Sequence, residues 1–173
     1  MYIVTERLVI REFVPGDWQD VLQYTSDPLV MFYMPEPVHT EETVKEFLEQ
    51  NKDGQPHHYA VMLQKGQRVI GHMVFHPCFG EHTYEIGWVF HSAYHGMGYA
   101  TEAARALLQH GFEALGVHRI IATCQPENTP SYKVMEKLGM RREGCFRQCI
   151  PRGEVWWDEY YYAMLKSEWR TIS

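Results

Sequence analysis

Hydrophobic and polar residues change their period several times along the chain, and each change marks an element. Between Arg7 and Phe13, Leu8 and Ile10 alternate with Arg7, Val9 and Arg11, the period-two spacing of a strand. A Pro15-Gly16-Asp17 break follows, and Trp18, Val21, Leu22 and Thr25 then fall at helical spacing. The stretch from Pro28 to Pro37 reads as a loop or broken turns. Thr40 then caps a helix with Glu41 and Glu42 in its first turn and Val44, Phe47 and Leu48 as its apolar stripe. Three strand-like runs come next, His58 to Gln64, Arg68 to His76 and Thr83 to His91. Their short connectors predict an antiparallel meander.

From Gly98 to Leu115 the period lengthens. Ala100, Ala103, Ala104, Leu107, Leu108, Phe112 and Leu115 share one stripe, and Gly116 ends the helix. His118 to Gln125 reads as a strand, Pro130 to Leu138 as a short helix stopped by Gly139, and two more strands follow at about Arg142 to Ile150 and Val155 to Leu165. The sum is α+β: a central mixed, mostly antiparallel sheet with helices on its faces.

Length and composition narrow the class. A chain of 173 residues falls in the one-domain range, so residues 1–173 are expected to form a single domain. Apolar residues at 45% and charged residues at 22% exclude a disordered chain. A net charge of −6 without a Lys/Arg block argues against a nucleic-acid partner. The opening MYIVTERLVIREF has no continuous apolar core, so neither a signal peptide nor a membrane anchor is expected. Cys78, Cys124, Cys145 and Cys149 then read as reduced thiols in a cytoplasm.

The chemistry concentrates in two blocks. In the first, the strand Glu85-Ile86-Gly87-Trp88-Val89-Phe90 leads to His95-Gly96-Met97-Gly98-Tyr99-Ala100-Thr101-Glu102 and so into the long helix. Two glycines before a helix make either a tight turn or a phosphate cradle, in which unpaired N–H groups and the positive helix end meet an anion. No Gly-Lys-Ser/Thr follows, so the loop is not a P-loop. A dinucleotide fingerprint fails too, because Thr101 stands at the third small position and no acidic residue ends the next strand. In the second block, Asn128, Ser131, Glu136, Lys137, Leu138, Gly139 and Met140 follow about thirty residues later.

Together the blocks resemble the GNAT superfamily of N-acetyltransferases, with its Gln/Arg-x-x-Gly-x-Gly/Ala loop and its later Asn-x-x-Ser block. His95 replaces the loop's Gln or Arg. Thr5-Glu6-Arg7-Leu8, Arg11, Gly98 to Ala103, and the tail residues Glu143, Gly144, Arg147, Gly153, Trp157, Asp158 and Tyr162 resemble the branch that acetylates N-terminal amines of ribosomal proteins. The resemblance implies a twisted sheet splayed around acetyl-CoA. The pantetheine arm would pair with Trp88, Val89 and Phe90, and the pyrophosphate would rest on the amides of His95, Gly96, Met97, Gly98, Tyr99, Ala100 and Thr101. Asn128 would hold the arm, Ser131 would lie near the sulfur, and Lys133 would meet the nucleotide end.

Acetyl transfer to an amine needs a base, a stabilised oxyanion and help for the departing thiolate. Glu85, on the strand next to the implied cofactor, is the candidate base, its alternative being a solvated strand carboxylate. Ser131 is the candidate thiolate partner, its alternative a helix-terminal serine bonding locally. Met135 stands where many relatives carry a tyrosine, and a main-chain N–H near Val89, freed by a bulge, is the expected oxyanion donor. No metal is expected: His72 and His76 are about 13 Å apart along one strand, and His57-His58 lies near a loop. Trp156, Trp157 and Tyr160 to Tyr162 read as packed sheet residues. The partner is an amine-bearing acceptor, a peptide N-terminus or a small molecule, and a homodimer is common among similar proteins. The competing function is a catalytically silent CoA-binding sensor or interaction module of the same fold.

Overall fold

The computed structural model describes residues 1–52 and 57–172. Among the described residues, eight strands are hydrogen-bonded in the order β1-β2-β3-β4-β5-β6-β8-β7, and five α-helices accompany them. They are β1 (Tyr2–Val4), β2 (Leu8–Arg11), β3 (His58–Leu63), β4 (Val69–Pro77), β5 (Thr83–Phe90), β6 (Arg119–Cys124), β7 (Arg141–Arg152) and β8 (Val155–Leu165). The helices are α1 (Trp18–Thr25), α2 (Glu41–Gln50), α3 (Tyr99–Gln109), α4 (Thr129–Lys137) and α5 (Lys166–Ile172). β5 and β6 pair in parallel from Thr83↔Arg119 to Glu85↔Ile121, and β1–β2, β2–β3, β3–β4, β6–β8 and β7–β8 pair antiparallel. The mixed, mostly antiparallel α+β sheet is the one the residue pattern predicts.

The described residues fall into two compact units, one of Met1–His76 with Trp88–Ala106 and the other of Pro77–Gly87 with Leu107–Ser173. In the first, α1 and α2 bury Val21, Tyr24, Val44 and Leu48 with Phe13, Met31, Ala60, Val69 and Val89. The Thr40 hydroxyl accepts from the Thr43 amide at the start of α2, as the Thr-Glu-Glu opening requires. Two expectations change here. The three residues of β1 form a strand of their own, and Val9 is buried along with Leu8 and Ile10, so both faces of β2 are covered.

His72 is buried and shares a 2.9 Å hydrogen bond with the Tyr24 hydroxyl, and Phe13, Phe47 and His58 surround its ring. Burial drives the His72 imidazole well below its ordinary pKa. Burial, aided by the neighbouring His57 and His76, lowers His58 to about 4.

In the second unit, the stripe of the long helix holds through Leu107, Leu108 and Phe112, all fully buried. It then breaks. The segment His110–Ala114 is a π-turn, closed by Leu115 N–H to the His110 carbonyl at 3.0 Å. The wider turn rotates the following residue off the stripe, and Leu115 is 49% exposed where period 3.6 would bury it. At the end of α4, Gly139 takes φ 82° while Met140 N–H bonds the Met135 carbonyl, a Schellman ending. Trp156 is 57% exposed, so it is not the packed sheet residue expected, since it pairs only with Pro151 in the β7–β8 ribbon.

All four cysteines are free thiols. No described helix is long and apolar enough to cross a membrane, and no group of three or more His, Cys, Asp or Glu among the described residues could hold a metal.

Candidate active site

In the first unit the site is built around the passage from β5 into α3. Gly71 on β4 lets the two strands close, because a Cβ there would lie 2.5 Å from the Val89 carbonyl oxygen and 2.8 Å from the Phe90 ring. Val89 and Phe90 are buried and Trp88 is half-buried. A short 3-10 turn at Ser92–Tyr94 follows. His95 is turned back: its ring Nε2 donates to the Phe90 carbonyl at 2.8 Å, and its amide donates to the Ser92 carbonyl at 3.1 Å. His95 thus anchors the loop to the strand.

Beyond it the main chain opens. Gly96 and Gly98 take φ 75° and 81°, a region that side-chain-bearing residues avoid. The first hydrogen bond of α3 is Glu102 N–H to the Gly98 carbonyl at 3.0 Å. Among the described residues no acceptor meets the amides of Gly96, Met97, Gly98, Tyr99, Ala100 or Thr101. The loop is also exposed, Met97 at 54%. A run of free N–H groups at the positive end of a helix is an anion cradle.

The loop is gripped from the N-terminal segment. Glu102, in the first turn of α3, accepts from the Thr5 hydroxyl at 2.6 Å, the Arg7 amide at 2.9 Å and Arg7 Nε at 2.6 Å. Burial alone would raise its carboxyl, but these bonds outweigh it and hold the pKa below the ordinary range. Arg7 Nη1 donates to the Met97 carbonyl at 3.0 Å, and the guanidinium lies 4.3 Å from the centre of the Tyr99 ring.

The remaining candidates belong to the second unit. Glu85 is half-buried on β5, opposite Ile121. Burial raises the Cys78 thiol and the Tyr161 hydroxyl, and the Glu85 charge adds to both shifts, so both neighbours are neutral near pH 7. Arg119 nearby is engaged with Glu143. Ser131 has a different neighbour, the thiol of Cys124. Burial pushes that thiol up to about 11 against the pull of Ser131 and the Tyr132 amide.

Strand alternation puts Glu85 and Cys124, the neighbour of Ser131, on opposite faces. Glu85 shares its face with Ile121 and Tyr161, whereas Cys124 and Tyr160 occupy the other. Asn128 sits at the N-cap of α4 without a capping side-chain bond, and its side-chain amide has no partner among the described residues. Lys133 is exposed, and Met135 is buried. Tyr132 turns to Thr129, its hydroxyl 3.4 Å away, and to the Tyr160 ring.

Comparison with known proteins decides the family. The sequence profile of the acetyltransferase (GNAT) domain matches residues 7–141, most of the chain. The chain is a GNAT acetyltransferase. This GNAT acetyltransferase is 59% identical over 169 residues to the uncharacterized N-acetyltransferase YnaD of Bacillus subtilis (strain 168), covering 98% of this chain and 99% of that protein. The crystal structure of a GNAT-family acetyltransferase from Bacillus anthracis superposes with a TM-score of 0.94 at 57% identity, over 97% of this chain and all of that one. More distantly, a ribosomal-protein-serine acetyltransferase of Escherichia coli (strain K12) is 26% identical over 136 residues, 76% of this chain and 75% of that protein.

Sequence reasoning about this GNAT acetyltransferase missed two partnerships. Arg7 and Glu102 stand 95 positions apart, and the single legible signal was a charged Thr-Glu-Arg entering an apolar run. The Cys124–Ser131 pair was hidden because both residues suit a buried strand end and a helix start equally well.

Proposed function

We propose that this GNAT acetyltransferase transfers an acetyl group from acetyl-CoA to a primary amine, with the pyrophosphate held by the amides from Gly96 to Thr101. The observation that carries this reading is the run of unpartnered N–H groups on a glycine loop at the start of α3. The chain's residues fit the group: donors are main-chain, so a protein of net charge −6 can hold a polyanion, and glycine leaves room for close approach. Trp88, Val89 and Phe90 are assigned to the pantetheine arm, with His95 as the anchor of the loop. Asn128 keeps a side-chain amide available for the arm, and exposed Lys133 is assigned to the nucleotide end.

Acetyl-CoA supplies an acyl group activated as a thioester. Glu85 takes the proton released by the attacking amine, directly or through water, beside two neutral neighbours that do not compete for it. A C–N bond forms and the C–S bond breaks. The Ser131 hydroxyl donates a hydrogen bond to the departing thiolate, which then takes its proton from solvent. The two residues serve different groups, so the placement of Glu85 and Cys124 on opposite faces is compatible with both roles. A main-chain N–H near Val89 is assigned to the oxyanion. The ribosomal-protein-serine acetyltransferase relative favours a peptide N-terminus as acceptor over a small-molecule amine.

Calorimetric titration with acetyl-CoA tests the reading, comparing the parent with Gly98→Trp. Micromolar binding that is lost in a folded variant supports it, and no binding by the folded parent overturns it. Thiol release with a panel of Ser- and Ala-initiated peptides and polyamines then identifies the acceptor class.

A further inference from the structure

The Thr5-Glu6-Arg7-Leu8 segment marks the chain's resemblance to one branch of its family, yet nothing in the reaction uses it. Its geometry is specific. Arg7 divides its donors: the amide and Nε go to the two oxygens of Glu102, and Nη1 goes to the Met97 carbonyl at 3.0 Å. The Thr5 hydroxyl adds a third bond to Glu102 and itself accepts from the Leu8 amide at 3.1 Å, so the grip is fixed to the start of β2. Arg7 Nη2 has no hydrogen-bond partner among the described residues. It lies 3.5 Å from where a Cβ on Gly98 would stand, at the edge of the open amides.

One guanidinium therefore fixes the first turn of α3 through Glu102 and the loop through the Met97 carbonyl. A carbonyl turned into the cradle would repel a phosphate. Held by Arg7, the Met97 carbonyl is committed elsewhere, and the flanking amides stay available. Glu102 cancels much of the arginine's charge, so the contribution is chiefly to geometry, with Nη2 left as a donor at the rim.

We propose that Arg7, braced by Glu102, is a positioning residue that pre-shapes the 96–101 loop for the pyrophosphate of acetyl-CoA. The proposal rests on the reading of that loop as the pyrophosphate cradle. Ordering the loop before binding removes an entropic cost that the ligand would otherwise bear.

The test compares dissociation constants for acetyl-CoA and for S-acetylpantetheine, which lacks the pyrophosphate, the former by calorimetry and the latter by ligand-observed NMR. The parent should prefer acetyl-CoA by at least about 100-fold. Arg7→Gln should cut that preference about tenfold or more while its S-acetylpantetheine affinity stays within about twofold of the parent. Arg7→Lys should recover little, because one ammonium cannot span Glu102 and the Met97 carbonyl as a planar fork does.

Glu102→Gln, which keeps the helix and loosens the brace, should lose preference in the same direction by a smaller factor. It keeps the proposal testable if Arg7→Gln fails to fold. A parent without preference would overturn the cradle reading and this proposal with it. A parent with preference and folded variants that retain it, or lose affinity for both ligands equally, would overturn the role of Arg7 alone.

Discussion

The N-termini of α3 and α4 are built in opposite ways. At α4 the donors are satisfied within the chain: Thr129 N–H bonds Glu127, Pro130 has none, and Ser131 and Tyr132 both donate to the Asn128 carbonyl. At α3 the amides from Gly96 to Thr101 meet no acceptor among the described residues, and the glycines keep the approach open. The open end is nevertheless the one held from outside, by Thr5 and Arg7 on Glu102. A helix start closed by its own chain needs no bracing. One that must present its amides to a ligand gives up local caps and takes its rigidity from a distant segment.

The largest expected break in this contrast is Gly98→Asp. A carboxylate in a left-handed position at the cradle should weaken acetyl-CoA by at least about 100-fold in titration calorimetry, through like charge and backbone strain together. Acidification comes next and bears on how the comparison is made, because the unit that carries the loop also buries His72 and half-buries His58. A histidine whose folded pKa is depressed stabilises the fold above about 6.5, and that stability is lost as pH falls toward its folded value. With His58 at about 4, denaturant melts should show a loss of about 2 kcal/mol between pH 7 and pH 5. A flat profile would contradict the burial of these rings, and binding at the two helix ends is best compared above pH 6.5.

Ser131→Ala sharpens the other side. It should lower kcat about tenfold while leaving acetyl-CoA affinity nearly unchanged, and an unaltered kcat would reduce Ser131 to the hydroxyl partner of Cys124. Gly139→Ala should cost only about 1 kcal/mol in stability, through its φ of 82°, with no effect on cofactor binding. In hydrogen exchange, saturating acetyl-CoA should protect the amides of Tyr99 to Thr101 and leave those of Ser131 and Tyr132 as they were.

Local features were the ones legible in advance. The stripe of α3 through Phe112, the Thr40 cap of α2 and the Gly139 stop of α4 each depend on residues a few positions apart, and all are visible as spacing. The glycine loop was legible for the same reason, although the sequence could not show that His95 would turn its ring and amide inward. What escaped depends on partners far along the chain or, at Leu115, on a local change of helix period. Val9 is covered on a face that alternation would leave open, Leu115 is displaced by a π-turn, and Glu102 answers to Arg7. Glu85 and Ser131 could be named as candidates, but the opposite faces of Glu85 and Cys124 follow only from the β5–β6–β8 register.

The thiol beside Ser131 has a practical consequence. With its pKa near 11 and its sulfur buried, Cys124 carries almost no thiolate at neutral pH and should resist maleimides and mild oxidants, whereas Cys145 and Cys149 lie exposed on β7. A thiol-directed fluorophore would therefore react at Cys145 and Cys149, and at half-buried Cys78 unless that residue is replaced, while the neighbour of Ser131 would remain untouched by the label.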